Sequence, residues 1–253
     1  GGGPGGCECA RVAALRGHEV TLFEAEDHLG GAMNMASQPP FKYHDKHLIA
    51  YFGNELDRLG VKVCLGTKAT PENVKAENPD VVVTACGAYS FVPPIEGKEK
   101  AVLPEKILFD PESAGENVVI IGAGQVGVEI GLWLQDLGRK VTVVEATDKF
   151  MPAAHYSDAE HAMALLKFKG SEVMLKVSVN QITDSSVEIT DADGKALSLK
   201  ADTVVMATGF RGDTKTYEEM RENFPMVYNI GDSVKARNIF YAVHEAYELA
   251  SHL

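Results

Sequence analysis

Twenty-nine residues at the start of the chain return in its middle. Laying "GGGPGGCECARVAALRGHEVTLFEAEDHL" over "GAGQVGVEIGLWLQDLGRKVTVVEATDKF" puts Gly1 on Gly122, Gly3 on Gly124 and Gly6 on Gly127, an offset of 121. The same offset puts Gly17 on Gly138, Val20-Thr21 on Val141-Thr142, Glu24 on Glu145 and Asp27 on Asp148. Further on, "DVVVTACG" from Asp80 and "DTVVMATG" from Asp202 match at nearly the same spacing. One folding unit therefore occurs twice, and whatever the first copy folds into, the second must fold into as well.

The second copy carries the full local context of a dinucleotide-binding turn. "NVVII" from Asn117 has the pattern of a buried strand. Gly122 to Gly127 is a G-x-G-x-x-G turn, "VEIGLWLQDLG" has helical spacing, "KVTVVE" reads as the next strand, and Glu145 stands 18 residues after Gly127. Each position has a physical task. The first glycine makes the tight turn, the second lets the backbone approach a pyrophosphate, and the third lets helix and strand pack closely. The N-terminus of the helix offers N–H groups and positive dipole to phosphates, and an acid at the strand end can accept hydrogen bonds from a ribose diol.

The first copy has the turn, the helix ("CARVAALRG"), the strand ("EVTLFE") and the acid, Glu24, with Pro4 suited to the first helical position. It has no counterpart of "NVVII". The expectation is that a strand belonging to this unit lies upstream in a longer protein, and that residues 1–253 alone are unstable because two neighbouring strand edges are left open.

A net charge of −12 argues against nucleic-acid and anionic-membrane partners. No apolar run approaches the ~18 residues of a membrane span, and a cytoplasmic location is expected. The four cysteines have neither Cys-x-x-Cys nor metal-like spacing. Cys7 and Cys9 are expected to be reduced, packed thiols. "HDKH" and "HYSDAEH" lack a convincing third ligand, so no metal site is expected. Leu48, Ile49, Phe52, Leu56 and Leu59 fall on one helical face and are assigned to core. "EVMLKVSV", "SVEITDADGK" and "ALSLKADTVVMA" read as a meander with an Asp193-Gly194 hairpin turn.

The two Rossmann-like units, with "VVVTACG", "VVMATGF" and "YNIGDS", resemble the two-dinucleotide-binding flavoproteins of the pyridine nucleotide-disulfide oxidoreductase type. Between Glu24 and Cys64 there is no redox cysteine; "LGGAMNMASQPPFK" stands there instead. That segment resembles the C-terminal half of the 2,4-dienoyl-CoA reductase and 2-enoate reductase family. Trimethylamine dehydrogenase shares that architecture without a working nicotinamide-dependent FAD site, and the intact glycines and acids here favour the reductase type.

The resemblance implies an α/β fold of two dinucleotide-binding domains. The FAD domain is discontinuous, residues 1–112 and 214–253, and the NAD(H) domain spans 113–213, with "PPIEGKEK" and "FDPESAGEN" as connecting segments. The implied FAD set is Gly1, Gly3, Pro4, Gly6, Glu24, Gly31, Asn34, Gly87, Gly231 and Asp232. The implied NAD(H) set is Gly122, Gly124, Gln125, Val126, Gly127, Glu145 and Gly209. Hydride transfer from NADH to FAD is carried by the cofactors, so no acid–base residue is named. FMN and a 4Fe-4S cluster are implied only in an upstream barrel, on the same chain or a partner subunit, where an activated C=C bond is reduced. Self-association stays open. So do two other classes, a stand-alone NAD(P)H:acceptor electron-transfer subunit and a nucleotide-binding module without turnover. Glu145, with only Lys149 as a nearby cation, implies NADH over NADPH.

Overall fold

The computed structural model describes residues 1–253. In chain order the elements are α1 (Pro4–Leu15), β1 (Thr21–Phe23), α2 (Ala32–Ala36), α3 (Tyr43–Arg58), β2 (Lys62–Cys64), α4 (Pro71–Ala76), β3 (Val82–Thr84) and β4 (Ala88–Ser90). There follow α5 (Pro104–Phe109), β5 (Asn117–Ile121), α6 (Gln125–Asp136), β6 (Lys140–Glu145), α7 (Tyr156–Phe168), β7 (Glu172–Leu175), β8 (Ser178–Ile182), β9 (Ser186–Thr190), β10 (Ala196–Lys200) and β11 (Thr203–Met206). The chain closes with β12 (Phe210–Gly212), α8 (Lys215–Asn223), β13 (Val227–Asn229) and α9 (Ile239–Ala250). It divides into two units: Gly1–Ser37, Lys42–Tyr89 and Phe210–Leu253 form the first, Gln38–Phe41 and Ser90–Gly209 the second.

The second unit is built on a parallel sheet of order β11-β5-β6-β7. β5 is apolar from Val118 to Ile121 because both of its faces are covered there. Ile120 and Val143, paired in register, lie fully buried on the face against which α6 packs, where Gly131 approaches Ile120, Val141 and Leu166. The alternate residues Val119, Ile121 and Val144 face the other way and form one core with Val187, Ile189, Val204 and Met206. That second layer is the antiparallel sheet β10-β9-β8. Its hairpin turn forms at Asp191–Lys195 as expected, Asp191 Oδ1 accepting the N–H groups of Asp193 and Lys195 at 3.0 and 2.9 Å.

Two expectations are corrected here. "EVMLKVSV" and "ALSLKADTVVMA" are two strands each, not one: β7 and β11 belong to the parallel sheet, β8 and β10 to the antiparallel one, and Lys176 between β7 and β8 takes a left-handed conformation (φ 59°). Residues 90–112, expected in the FAD domain, fall in the second unit. Val102 bridges Val205, Glu96 bridges Gln181, and α5 buries Ile107 and Leu108, so this segment packs with the second unit.

In the first unit β1 pairs in parallel with β2, and β3 with β13. By the repeat, β1 corresponds to β6 and β3 to β11, which β5 joins in the second unit. α1 lies against α9 and α3. Cys7, Ala10, Phe52 and Leu56 make one core and Cys9, Val12, Ala13, Ile230 and Ala246 another. The assigned helix at 48–59 is α3, with Phe52 and Leu56 buried. Cys7 and Cys9 are buried free thiols, pushed up to about 12 and about 11 chiefly by burial.

Candidate functional site: two glycine turns clamped by their own acids

In the first unit Gly1 abuts the carbonyl of Ala85, at the carboxyl end of β3, and Gly87 follows two residues later with φ 74°. In the second unit Gly122 abuts the carbonyl of Ala207, after β11, and Gly209 follows with φ 97°. The third glycines match as well. A Cβ at Gly6 would fall inside the van der Waals shell of the Gly1 carbonyl oxygen, and one at Gly127 inside that of Gly122. The second glycines are different, because a Cβ at Gly124 would meet nothing within 4 Å and one at Gly3 only the Cα of Gly31 at 3.9 Å.

Both acids hold their turn directly. Gly2 N–H donates to Glu24 Oε2 at 2.5 Å and Glu26 N–H to Glu24 Oε1 at 2.8 Å. Ala123 N–H donates to Glu145 Oε2 at 3.0 Å and Thr147 N–H to Glu145 Oε1 at 2.8 Å. A second bond repeats too: Gly30 N–H donates to Gly2 O, and Met151 N–H to Ala123 O, both at 2.8 Å. Each carboxylate thus fastens the turn to the end of the following strand. Glu24 is buried; Glu145 is half-buried. Sequence reasoning missed this clamp, as it missed Gly30 and Thr147, although the repeat alignment placed Gly2 on Ala123, the residues that donate.

The helices behind the turns start on Gly3 and Gly124, which bring no capping side chain, and Pro4 occupies the first helical position of α1. The leading N–H groups of a helix lack intrahelical acceptors. In α6 those include Gln125, Val126 and Gly127. With the open side of each second glycine, this is a cradle into which a pyrophosphate can come against backbone, so the residues fit a dinucleotide in both units.

The first unit adds features without a counterpart in the second. Gly31 (φ 50°) begins α2 against Gly3, and Asn34 closes that turn, donating from Nδ2 to Leu29 O at 3.0 Å. After β13, Gly231 (φ 68°) donates its N–H to Glu245 Oε2 of α9 at 3.1 Å, and Asp232 Oδ1 accepts the Arg237 N–H at 3.1 Å. Because β13 runs parallel to β3 and α9 packs on α1, with Ala242 beside Gly5, Asp232 stands at the carboxyl end of the strands, the end that carries the glycine turn. Partial burial raises the Asp232 carboxyl above its ordinary value; the Arg237 N–H and guanidinium oppose that, and Glu245 adds to it. Arg237 in turn pairs with Glu245 and lies 4.4 Å from the Tyr241 ring centroid. No three His, Cys, Asp or Glu side chains converge as a metal site.

Two dinucleotide folds in one chain, each with a glycine turn and a clamping acid, and one with an added Gly-Asp element, define a nucleotide-dependent flavoprotein of the two-domain type. The chain belongs to the pyridine nucleotide-disulphide oxidoreductase family, whose model matches residues 1–250, and within it to the 2,4-dienoyl-CoA/enoate reductase type. It is 37% identical over 259 residues to cinnamate reductase of Clostridium sporogenes, covering 100% of this chain and 38% of that protein. It is 38% identical to bilirubin reductase of Mediterraneibacter gnavus, covering 99% of this chain and 40% of that one. The structure of a 2-naphthoyl-CoA reductase in complex with 2-naphthoyl-CoA superposes with a TM-score of 0.93 at 33% identity, over 100% of this chain and 39% of that one. The chain therefore spans about two fifths of the length of these relatives. It is an oxidoreductase flavoprotein module whose cofactors are FAD and NAD(H). No helix is long and apolar enough to cross a membrane.

Proposed function

We propose that the first unit holds FAD and the second NADH, and that the module passes a hydride from NADH to FAD for onward reduction of an activated C=C bond, of enoate or enoyl-CoA type, in an FMN and iron–sulfur barrel. The observation that carries the assignment is an asymmetry within the repeat. Both units have the clamped turn, but only the first has a Gly-Asp element at the same strand ends, and a flavin has a ribityl chain for it to hold where a nicotinamide nucleotide does not. The barrel and its substrate class rest on the relatives, two of which are named for reducing cinnamate and 2-naphthoyl-CoA and all of which are much longer than this chain.

When bound, the cofactors supply the redox chemistry themselves, the nicotinamide giving a hydride and the flavin accepting it. The protein's part is to bind and orient. Gly3, Pro4, Gly6 and the start of α1 take one pyrophosphate, and Gly124, Gln125, Val126 and Gly127 the other. Glu24 and Glu145 each have lone pairs left after the clamp for a ribose hydroxyl. A 2′-phosphate beside Glu145 meets a repulsion of roughly 4 kcal/mol at 4 Å and an effective dielectric of 20. Solvent screening reduces this to about 2 kcal/mol, roughly thirtyfold in favour of NADH.

The test is anaerobic titration of the full-length enzyme with NADH, with Asp232→Ala beside it. The flavin bands should bleach, and Asp232→Ala should lose FAD on dialysis, a charged hydrogen bond of about 1.5–3 kcal/mol being removed. Unchanged FAD content in that variant would refute the placement of the flavin.

A further inference from the structure

Thr147 is exposed, so packing does not explain it, yet each of its polar atoms is engaged. Its hydroxyl donates to Glu145 Oε1 at 2.9 Å and accepts the Lys149 N–H at 3.2 Å. Its N–H donates to the same Oε1, and its carbonyl accepts the Lys176 N–H at 2.9 Å. The clamp does not require the hydroxyl. In the first unit the equivalent residue is Glu26, which serves Glu24 through its backbone N–H alone. The second unit therefore adds a side-chain bond at the acid and, through the same oxygen, ties down the backbone of Lys149, the only cation in the "ATDKF" loop.

We propose that Thr147 is a specificity-determining positioning residue for the nucleotide, an inference that rests on reading the second unit as the NADH site. With Oε1 taking two donors from Thr147 and Oε2 one from Ala123, the carboxylate is fixed and turns the remaining lone pair of Oε2 to the ribose diol. Without the hydroxyl, the carboxylate keeps its backbone bonds to Ala123 and Thr147 but loses the side-chain donor that sets the direction of Oε1, and the preference for the ribose diol of NADH over a 2′-phosphate weakens.

The experiment is equilibrium binding of NAD+ and NADP+ to the full-length enzyme by titration calorimetry, beside steady-state kinetics with NADH and NADPH, for Thr147→Val, Thr147→Ser and Glu145→Ala, the ratio of dissociation constants being expected to move with the ratio of kcat/KM. In Thr147→Val the ratio of kcat/KM for NADH to that for NADPH should fall roughly five- to tenfold, less than a hydrogen bond to a carboxylate is worth outright because the hydroxyl reaches the nucleotide only through Glu145. The loss with NADH should appear in KM, with kcat within about twofold, and Thr147→Ser should restore the ratio. A role only in loop stability would lower both nucleotides in parallel. A parallel loss, an unchanged ratio, or a serine variant behaving like valine would overturn the inference. Glu145→Ala separates the two levels. If it shifts the ratio and Thr147→Val does not, only the role of Thr147 fails; if neither shifts it, the reading of the second unit fails as well.

Discussion

Gly124 and Gly127 are three residues apart in one turn, and the structure gives them opposite reasons to be glycine. Gly127 has no room, since a Cβ there would collide with the Gly122 carbonyl and also lie 3.2 Å from both Ala207 and Ile120. Gly124 has room and an ordinary extended backbone (φ −73°, ψ 175°) that alanine adopts without strain. Gly127→Ala should therefore destabilise the fold by about 1–3 kcal/mol, the usual range for overpacking, read by chemical denaturation. Gly124→Ala should unfold like the parent but bind NADH more weakly, because the new methyl stands where the pyrophosphate meets the backbone. Equal stability losses in the two variants would contradict this division of roles. The glycines were legible in sequence because spacing reports the turn. The clamp by Glu24 and Glu145 was not, because a strand-end acid reads only as a ligand for ribose until the turn is seen folded over it. Lys176 was illegible for a related reason. Its counterpart after β2 is Gly66, with φ 61°, and there glycine announces the left-handed turn that lysine conceals at a cost of about 1–2 kcal/mol.

Among the elements, those with a strong pattern were read correctly: β5 as a buried strand and β6 as the strand that follows it, α3 and α6 by helical spacing. What the sequence hid was allegiance. "PPIEGKEK" is rich in turn formers, yet Gly97 sits hard against the Ile182 carbonyl and Glu96 bridges β8, contacts that no local pattern announces. The element most exposed to test is the short turn between β13 and α9. Burial raises the Asp232 carboxyl above its ordinary value. A flavin hydroxyl that donates to it favours the ionised form, so binding releases a proton wherever the free group is still protonated. The sign follows: FAD affinity is full above the raised value and declines as pH falls through it. Flavin retention by the full-length enzyme should weaken as pH falls from neutrality through the raised value of Asp232, and Asp232→Asn should bind more weakly at neutral pH and lose this dependence. Retention that is flat with pH in the parent, or an asparagine variant with the same slope, would show that Asp232 does not face the flavin.

At the scale of the whole molecule, the repeat makes the two units near-copies in their turns and acids, so the cofactor assignment rests on what breaks the symmetry: Gly31, Asn34, Gly231 and Asp232 in the first unit, Thr147 in the second. A paired substitution tests this without depending on any single contact. Valine at the open second glycine of either turn adds three carbons where a pyrophosphate must come close, while leaving the packed first and third glycines alone. Gly3→Val should strip FAD from the full-length enzyme, measured as FAD released by heat and separated chromatographically from FMN. Gly124→Val should keep its FAD, still bleach with dithionite, and fail to bleach with NADH. The reverse pattern would exchange the two sites, which the glycine turns alone would permit. Loss of FAD from both variants would mean that the second turn supports flavin binding through the fold as a whole, and the units could then not be treated as separate sites. Only if the two losses fall on different cofactors does the broken symmetry, and not the repeated motif, decide which nucleotide each unit receives.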